Sequence, residues 1–330
     1  MKNIIPIIIS AIILTNAFGV VALPVNGGKN IVTKPSSIPG NHFCFMIHGL
    51  RIRSYRVHVP PSYDGENEVP LVILLHGGGL SSSTISKRSD MDEKSDEEGF
   101  IAVYPNGTEG FLISFLHRLI LKENRGLQWN MHGVVINRPY LLRIDDVGFI
   151  NAIIETMKEE YSINSSRIYL GGFSQGAILS YYAGSILSDK IAAIGPLAGT
   201  IGVKRLVFSK KVPKPENPLP VIIFHGLKDK DVPYDDADPV WKAFSVNESV
   251  DFWVKHNNCN QTPIITESGN ITIRTYSNGT DGSEVVLYTV NNGEHWWFGG
   301  SWDGDKYYDP YQEISATDLM WDFFERHPKK

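Results

Sequence analysis

Five short, unbroken apolar runs constrain this chain more than any other feature: Leu71–Leu75, Ile101–Tyr104, Ile168–Leu170, Ile191–Ile194 and Val221–Phe224, several bounded by Gly or Pro. A strand with one wet face alternates apolar and polar residues. Runs without alternation suit strands buried on both faces, as in a parallel sheet covered by helices. Between the runs lie segments of helical spacing, Val147–Tyr161, Gly176–Leu187 and Trp241–His256. The alternation of strand and helix predicts an α/β fold, a mostly parallel central sheet flanked by helices. Residues Ile52–Val59 do alternate and stop at Pro60-Pro61, which predicts the strand that opens the sheet. Near the end, Ser315 and Asp318 have capping-box spacing and Ile314 and Leu319 are placed to staple the entry, predicting a last helix to about Arg326.

The first residues are Met-Lys, an apolar run Ile4–Leu14, and small residues at Ala17, Gly19 and Ala22. This is the layout of a secretory signal peptide over residues 1–22, cleaved after Gly19 or Ala22, and it predicts a secreted protein. The apolar core is shorter than the roughly 20 residues that span a bilayer, so no stable membrane insertion is expected after cleavage. Residues 23–41 are expected as an N-terminal extension and 42–330 as one domain, because no linker or repeat divides them. The formal net charge is −5 and the cations look scattered, which argues against nucleic acid or acidic lipid as a partner and for a neutral substrate. The two cysteines, Cys44 and Cys259, fit a single disulfide or two free thiols. Sequons stand at Asn106, Asn164, Asn247, Asn260, Asn270 and Asn278.

The chemistry-bearing motif is Gly172-Phe173-Ser174-Gln175-Gly176, which follows the run ending at Leu170 and precedes a helical segment. In that setting G-x-S-x-G forms a sharp strand-to-helix turn that lifts the serine hydroxyl clear of the sheet. A serine hydroxyl needs a base, and the base an orienting carboxylate, expected in the chain order Ser, Asp or Glu, His. Downstream histidines are His225, His256, His295 and His327. His225 sits at a strand end, where a structural role is expected, and His256 and His327 are expected to be solvated. His295, in the Gly- and aromatic-rich loop after the strand Glu284–Val290, is the expected base. For the carboxylate, Asp229 is the choice and Asp231 the reserve, both in the loop after Val221–Phe224. A calcium loop there is rejected, since Tyr234 stands where an EF-hand needs Gly. Leu75-His76-Gly77-Gly78-Gly79 follows a buried strand, and the amides of Gln175 and of Gly78 or a neighbour are the expected oxyanion donors. No metal and no cofactor is expected.

With these loops placed, the chain resembles the polyhydroxybutyrate depolymerase and feruloyl esterase group of α/β-hydrolases, gathered as carbohydrate esterase family 1. The resemblance runs from about Gly49 to Pro328. It rests on Arg53-Ser54-Tyr55, Pro60-Pro61-Ser62-Tyr63, Leu75-His76-Gly77, Tyr104-Pro105-Asn106-Gly107, Asp145-Asp146-Val147-Gly148-Phe149, the serine elbow, His225-Gly226 through Val232-Pro233-Tyr234, and Trp321-Asp322-Phe323-Phe324. It implies an α/β-hydrolase fold and a triad of Ser174, Asp229 and His295, and it makes hydrolysis of a carboxylic ester through an acyl-enzyme the expected activity. Feruloyl or acetyl esters on plant-wall polysaccharide are the expected substrates, with Trp129, Trp296 and Trp297 as platforms. Polyhydroxyalkanoate is the alternative, and a catalytically silent binding protein on the same scaffold the alternative of another class.

The chain departs from that pattern in three places. Trp296-Trp297-Phe298 follows the histidine where relatives carry a small or polar residue and then Trp-Pro. Residues 270–285 lack the cysteine that relatives pair with one at the position of Cys259, which leaves Cys44 as its only candidate. The stretch between Gly107 and Trp129 is longer than usual, and Leu112, Phe115, Leu116, Leu119 and Ile120 form an apolar helical stripe. A lid over the acyl pocket at 111–126 and an insertion packed on the body fit this stripe equally well.

Overall fold

Six parallel strands form the centre of a computed structural model that describes residues 35–49, 51–108, 126–130, 144–204, 209–235, 243–302, 304 and 308–330. The expected signal sequence, residues 1–22, and most of the 111–126 segment lie outside the described residues. In chain order the sheet strands are β1 (Gly40–His48), β2 (Arg51–Val59), β3 (Val69–Leu75), β4 (Ile101–Pro105), β5 (Ile163–Phe173), β6 (Ala193–Leu197), β9 (Val221–Gly226), β10 (Ile264–Ser268), β11 (Ile271–Tyr276) and β12 (Val285–Val290). Two short strands, β7 (Gly202–Lys204) and β8 (Ser209–Lys211), form a separate hairpin. The sheet order is β1-β2-β4-β3-β5-β6-β9-β12-β11-β10. From β4 to β12 every pairing is parallel, and an antiparallel pair closes each edge.

The parallel strands are apolar because both faces are covered, and Leu71 through Leu75 are all inaccessible to solvent. On one face lie α3 (Asp146–Glu160), α4 (Gln175–Ile186) and α5 (Val246–His256). On the other lie α1 (Ser82–Ser89), α2 (Met91–Glu98) and α6 (Ala316–Glu325), the last through Met320, Phe323 and Phe324. Polar composition hid α1 and α2 from the sequence pattern. The expected opening strand is the sheet's second: β1 precedes it and pairs with it from Gly40↔Val59 to His48↔Arg51. Of the predicted capping box on α6, one half forms. Ser315 Oγ accepts from Asp318 N, whereas the Asp318 carboxylate pairs with Lys94 at 2.6 Å. A full box caps α5 instead, through Ser245 and Glu248.

Three expectations need correction. His327 is buried one residue beyond the C-cap of α6, where its Nδ1 donates to Phe323 O at 2.7 Å and its ring packs on that of Phe323. His256 is half-buried and bonds Asn217 O. The Asn106 sequon is buried and its amide bridges Ser82 N and Ser54 Oγ, so it offers no glycosylation site.

Both cysteines are free and buried. Cys44 lies on edge strand β1 while Cys259 bonds Ser283 O just ahead of β12, so the parallel core separates them. Burial pushes the Cys44 thiol up to about 12 and the Cys259 thiol up to about 11. The native protein is therefore expected to resist iodoacetamide at about pH 8, where neither thiol forms appreciable thiolate. In guanidinium without reductant both should alkylate; failure of the unfolded chain to label would show a disulfide and contradict this arrangement.

Candidate active site

Parallel alignment brings the carboxyl ends of β3, β5, β9 and β12 to one rim of the sheet, where open α/β sheets bind ligands. Ser174 follows β5 directly. Its φ of 56° and ψ of −117° put a non-glycine residue in a sparsely populated region, the strain expected of this turn. The turn is held because Ser174 N donates to Leu197 O at the end of β6 (2.9 Å) and Ser174 O accepts from Ile178 N in α4 (3.0 Å). Gly176 is required there, since a Cβ would run into the Leu75 carbonyl.

The structure brings Ser174, His295 and Asp229 into one chain of hydrogen bonds. The His295 Nδ1–H donates to Asp229 Oδ2 at 2.7 Å, which leaves Nε2 to accept from Ser174 Oγ at 2.9 Å. Asp229 is 4% exposed and its other oxygen accepts the backbone amides of Asp231 (2.9 Å) and Val232 (2.8 Å). The reserve carboxylate, Asp231, is solvent-exposed and contributes only that amide. The two loops are sewn together, with Leu227 N on Val290 O and Lys228 N on Gly293 O, both at 2.9 Å. Gly226 allows this approach, because a Cβ there would meet the Gly293 carbonyl. Phe173 packs on the His295 ring, with centroids 4.9 Å apart.

His225 does more than end a strand. Its Nε2–H donates to Val232 O at 2.8 Å and lies 3.5 Å from Asp229 Oδ2, so it clamps the turn that presents the carboxylate. Burial lowers its pKa and keeps the imidazole neutral. The sequence placed His225 beside Asp229 but gave no sign of contact, which depends on how the loop folds back.

The glycine loop after β3 lies against the first turn of α4. A Cβ on Gly78 would stand 2.5 Å from the Gln175 side-chain amide, which itself donates to Gln128 Oε1 at 2.9 Å. Gly79 N is committed to Leu127 O. His76 anchors the loop: its Nδ1–H donates to Gly77 O at 2.7 Å, and its Nε2 accepts from Gly107 N at 3.0 Å. Trp129 Nε1 in turn donates to His76 O. Beneath, Arg53 and Asp146 form a buried ion pair at 2.6 Å, the guanidinium lying over the Phe149 ring, and Asp146 also accepts from Asn130 N.

The expected aromatic platforms are corrected by this packing. Trp129 is fully buried on His76, and Trp297 is buried with its Nε1 on Thr317 Oγ1, so neither offers a face to a substrate. Trp296 is 9% exposed and packs near Tyr311. Among the described residues no group of His, Cys, Asp or Glu is arranged to hold a metal ion.

Residues 146–261 match the Phospholipase/Carboxylesterase family. Feruloyl esterase B of Piromyces equi is 29% identical over 250 residues, covering 74% of this chain and 42% of that protein. A bifunctional acetylxylan esterase/xylanase of Neocallimastix patriciarum is 29% identical over 175 residues, covering 53% of this chain and 21% of that protein. The chain thus spans less than half the length of these two relatives. The ferulic acid esterase of Anaeromyces mucronatus has a similar fold, with a TM-score of 0.52 at 17% identity over 94% of this chain and 95% of that one.

Burial lowers the His76 pKa to about 4. Below its ordinary pKa of 6.5 the unfolded chain takes up a proton here that the folded protein refuses, so stability falls as the pH drops from 6.5 toward 4, by on the order of 3 kcal/mol. Thermal unfolding across that window should show a shallower acid slope for His76→Gln than for wild type, at a lower Tm. Parallel slopes would contradict a buried neutral imidazole.

Proposed function

We propose that this chain, similar in sequence to feruloyl esterases and built on an α/β-hydrolase fold, hydrolyses carboxylic esters by two-step acyl transfer through Ser174. One observation carries the reading: the continuous path Ser174 Oγ, His295 Nε2, His295 Nδ1, Asp229 Oδ2, with steps of 2.9 and 2.7 Å. His295 takes the serine proton as Oγ attacks the ester carbonyl, and Asp229 stabilises the imidazolium that forms. The tetrahedral oxyanion is held by the amide of Gln175, at the N-terminus of α4, and by that of Gly78. Collapse expels the alcohol, which takes the proton from His295. Water then attacks the acyl-serine by the same route and releases the acid.

The substrate we propose is a feruloyl or acetyl ester on plant-wall polysaccharide, in keeping with the names of the two fungal relatives. The N-terminal sequence suits export, where such a polymer is met. The supporting test is a panel of methyl ferulate, acetylated xylan and hydroxybutyrate oligomers, assayed with wild type and Ser174→Ala. Methyl ferulate or acetylated xylan should be cleaved in preference to hydroxybutyrate oligomers, and Ser174→Ala should lower kcat/KM by about a million-fold. A folded Ser174→Ala protein that keeps its activity would overturn the mechanism; preference for hydroxybutyrate would overturn the substrate.

A further inference from the structure

The expectation of scattered cations fails at one place. Between Lys204 and Lys214 the sequence holds Lys204, Arg205, Lys210, Lys211 and Lys214 with no acidic residue, in a chain whose net charge is −5. Of these, Lys204, Lys210 and Lys211 stand on the β7–β8 hairpin and Lys214 on the segment after it, alongside α5. Between them runs a groove of about 540 Å³, within the range of small-ligand sites. Its lining includes Lys211, Lys214 and Lys255 against two carboxylates, Glu248 and Asp251. Glu248 is already paired with Lys204, and Asp251 touches Lys255 only loosely, at 3.9 Å between exposed side chains. The groove therefore has an excess of positive charge.

Two half-buried rings, Phe244 and Phe252, form its apolar wall, with Lys204 Nζ and Lys211 Nζ each 5.2 Å from a ring centroid. Cations over flat apolar faces suit a ligand that has both carboxylates and ring faces. Both walls are fastened to the site already described. Ile201 on one wall lies four residues after Leu197, whose carbonyl holds Ser174 N. On the other, Val246 N at the start of α5 donates to Tyr234 O, in the chain just after Asp229 and Val232. Thr200 Oγ1 on Phe244 O and Phe244 N on Gly202 O tie the walls to each other.

We infer that this groove is a binding subsite for a carboxylate-bearing stretch of the carbohydrate chain whose ester is cleaved, a uronic-acid-substituted polysaccharide. The inference rests on the esterase reading and deepens it by naming the charge of the polymer. Lys211 and Lys214 hold the uronate carboxylate while the Phe244 and Phe252 faces pack on sugar rings. A neutral chain gains only the ring contacts, so the groove selects acidic branches without touching the reacting atoms.

The test uses the whole Ser174→Ala protein, so that no ligand is consumed, and calorimetric titration at fixed ionic strength. The probes are a glucuronic-acid-substituted xylotetraose, plain xylotetraose and inorganic phosphate. The uronate probe should bind about fivefold or more tighter than the neutral one, the gain expected from two solvent-screened contacts. Lys211→Glu with Lys214→Glu should erase that difference, and Lys211→Arg with Lys214→Arg should keep it. In the active enzyme the charge-reversed pair should raise KM on a glucuronate-bearing feruloylated polymer and leave methyl ferulate turnover unchanged. Equal binding of the two oligosaccharides overturns the inference, as does phosphate binding as tightly as the uronate. A uronate preference in a protein that cleaves no ester would sink the esterase reading while leaving the groove a carbohydrate site.

Discussion

The site depends on one constraint: a sheet buried on both faces must satisfy its backbone groups strand to strand, and parallel pairing does so while sending every loop that leaves a strand's carboxyl end to the same rim. Registers such as Leu75↔Gly172 and Gly226↔Val290 fix where β3, β5, β9 and β12 end relative to one another. Residues far apart in sequence then meet: Ser174 and His295 are 121 positions apart and hydrogen-bonded. The strained conformation of Ser174 persists because neighbours on both sides hold it, Leu197 through the serine amide and Ile178 through its carbonyl.

Around that rim, polar groups taken out of water have been given specific partners. His76 is neutral by burial and uses both ring nitrogens on backbone, fixing the glycine loop against Gly107. Asp229 accepts from two amides and an imidazole, with a second imidazole on the adjoining carbonyl. Arg53 and Asp146 tie β2 to α3 beneath the glycine loop; breaking such a pair by removing one partner costs about 3–5 kcal/mol because it leaves a buried charge. Each network ties a loop to the parallel sheet, which keeps the serine, imidazole and carboxylate at hydrogen-bonding distance before any substrate arrives.

Much of this was legible in the sequence because it is local. The apolar runs marked the parallel strands, and the glycines of the elbow marked a turn only they permit. The order of Ser, Asp and His gave the three side chains that meet. What escaped reading was set by tertiary contact. Edge strand β1 has alternating exposure and mixed composition, so only pairing with β2 defines it. Trp129 and Trp297 looked like surfaces for a ligand, yet packing on His76 and Thr317 buries them. His327 looked terminal and solvated, but its ring closes the last turn of α6 on the Phe323 carbonyl. The cations of the β7–β8 hairpin were read as part of a scattered set, and their clustering gains meaning only beside the groove they border.

The central claim is that Ser174 is activated by His295 and Asp229 and receives the acyl group. Labelling with a fluorophosphonate, followed by peptide mass mapping, tests it most directly. One adduct per chain is expected, on the Ser174 peptide, with labelling lost in His295→Ala. An adduct on another residue, or no adduct on a folded wild-type protein, would contradict it.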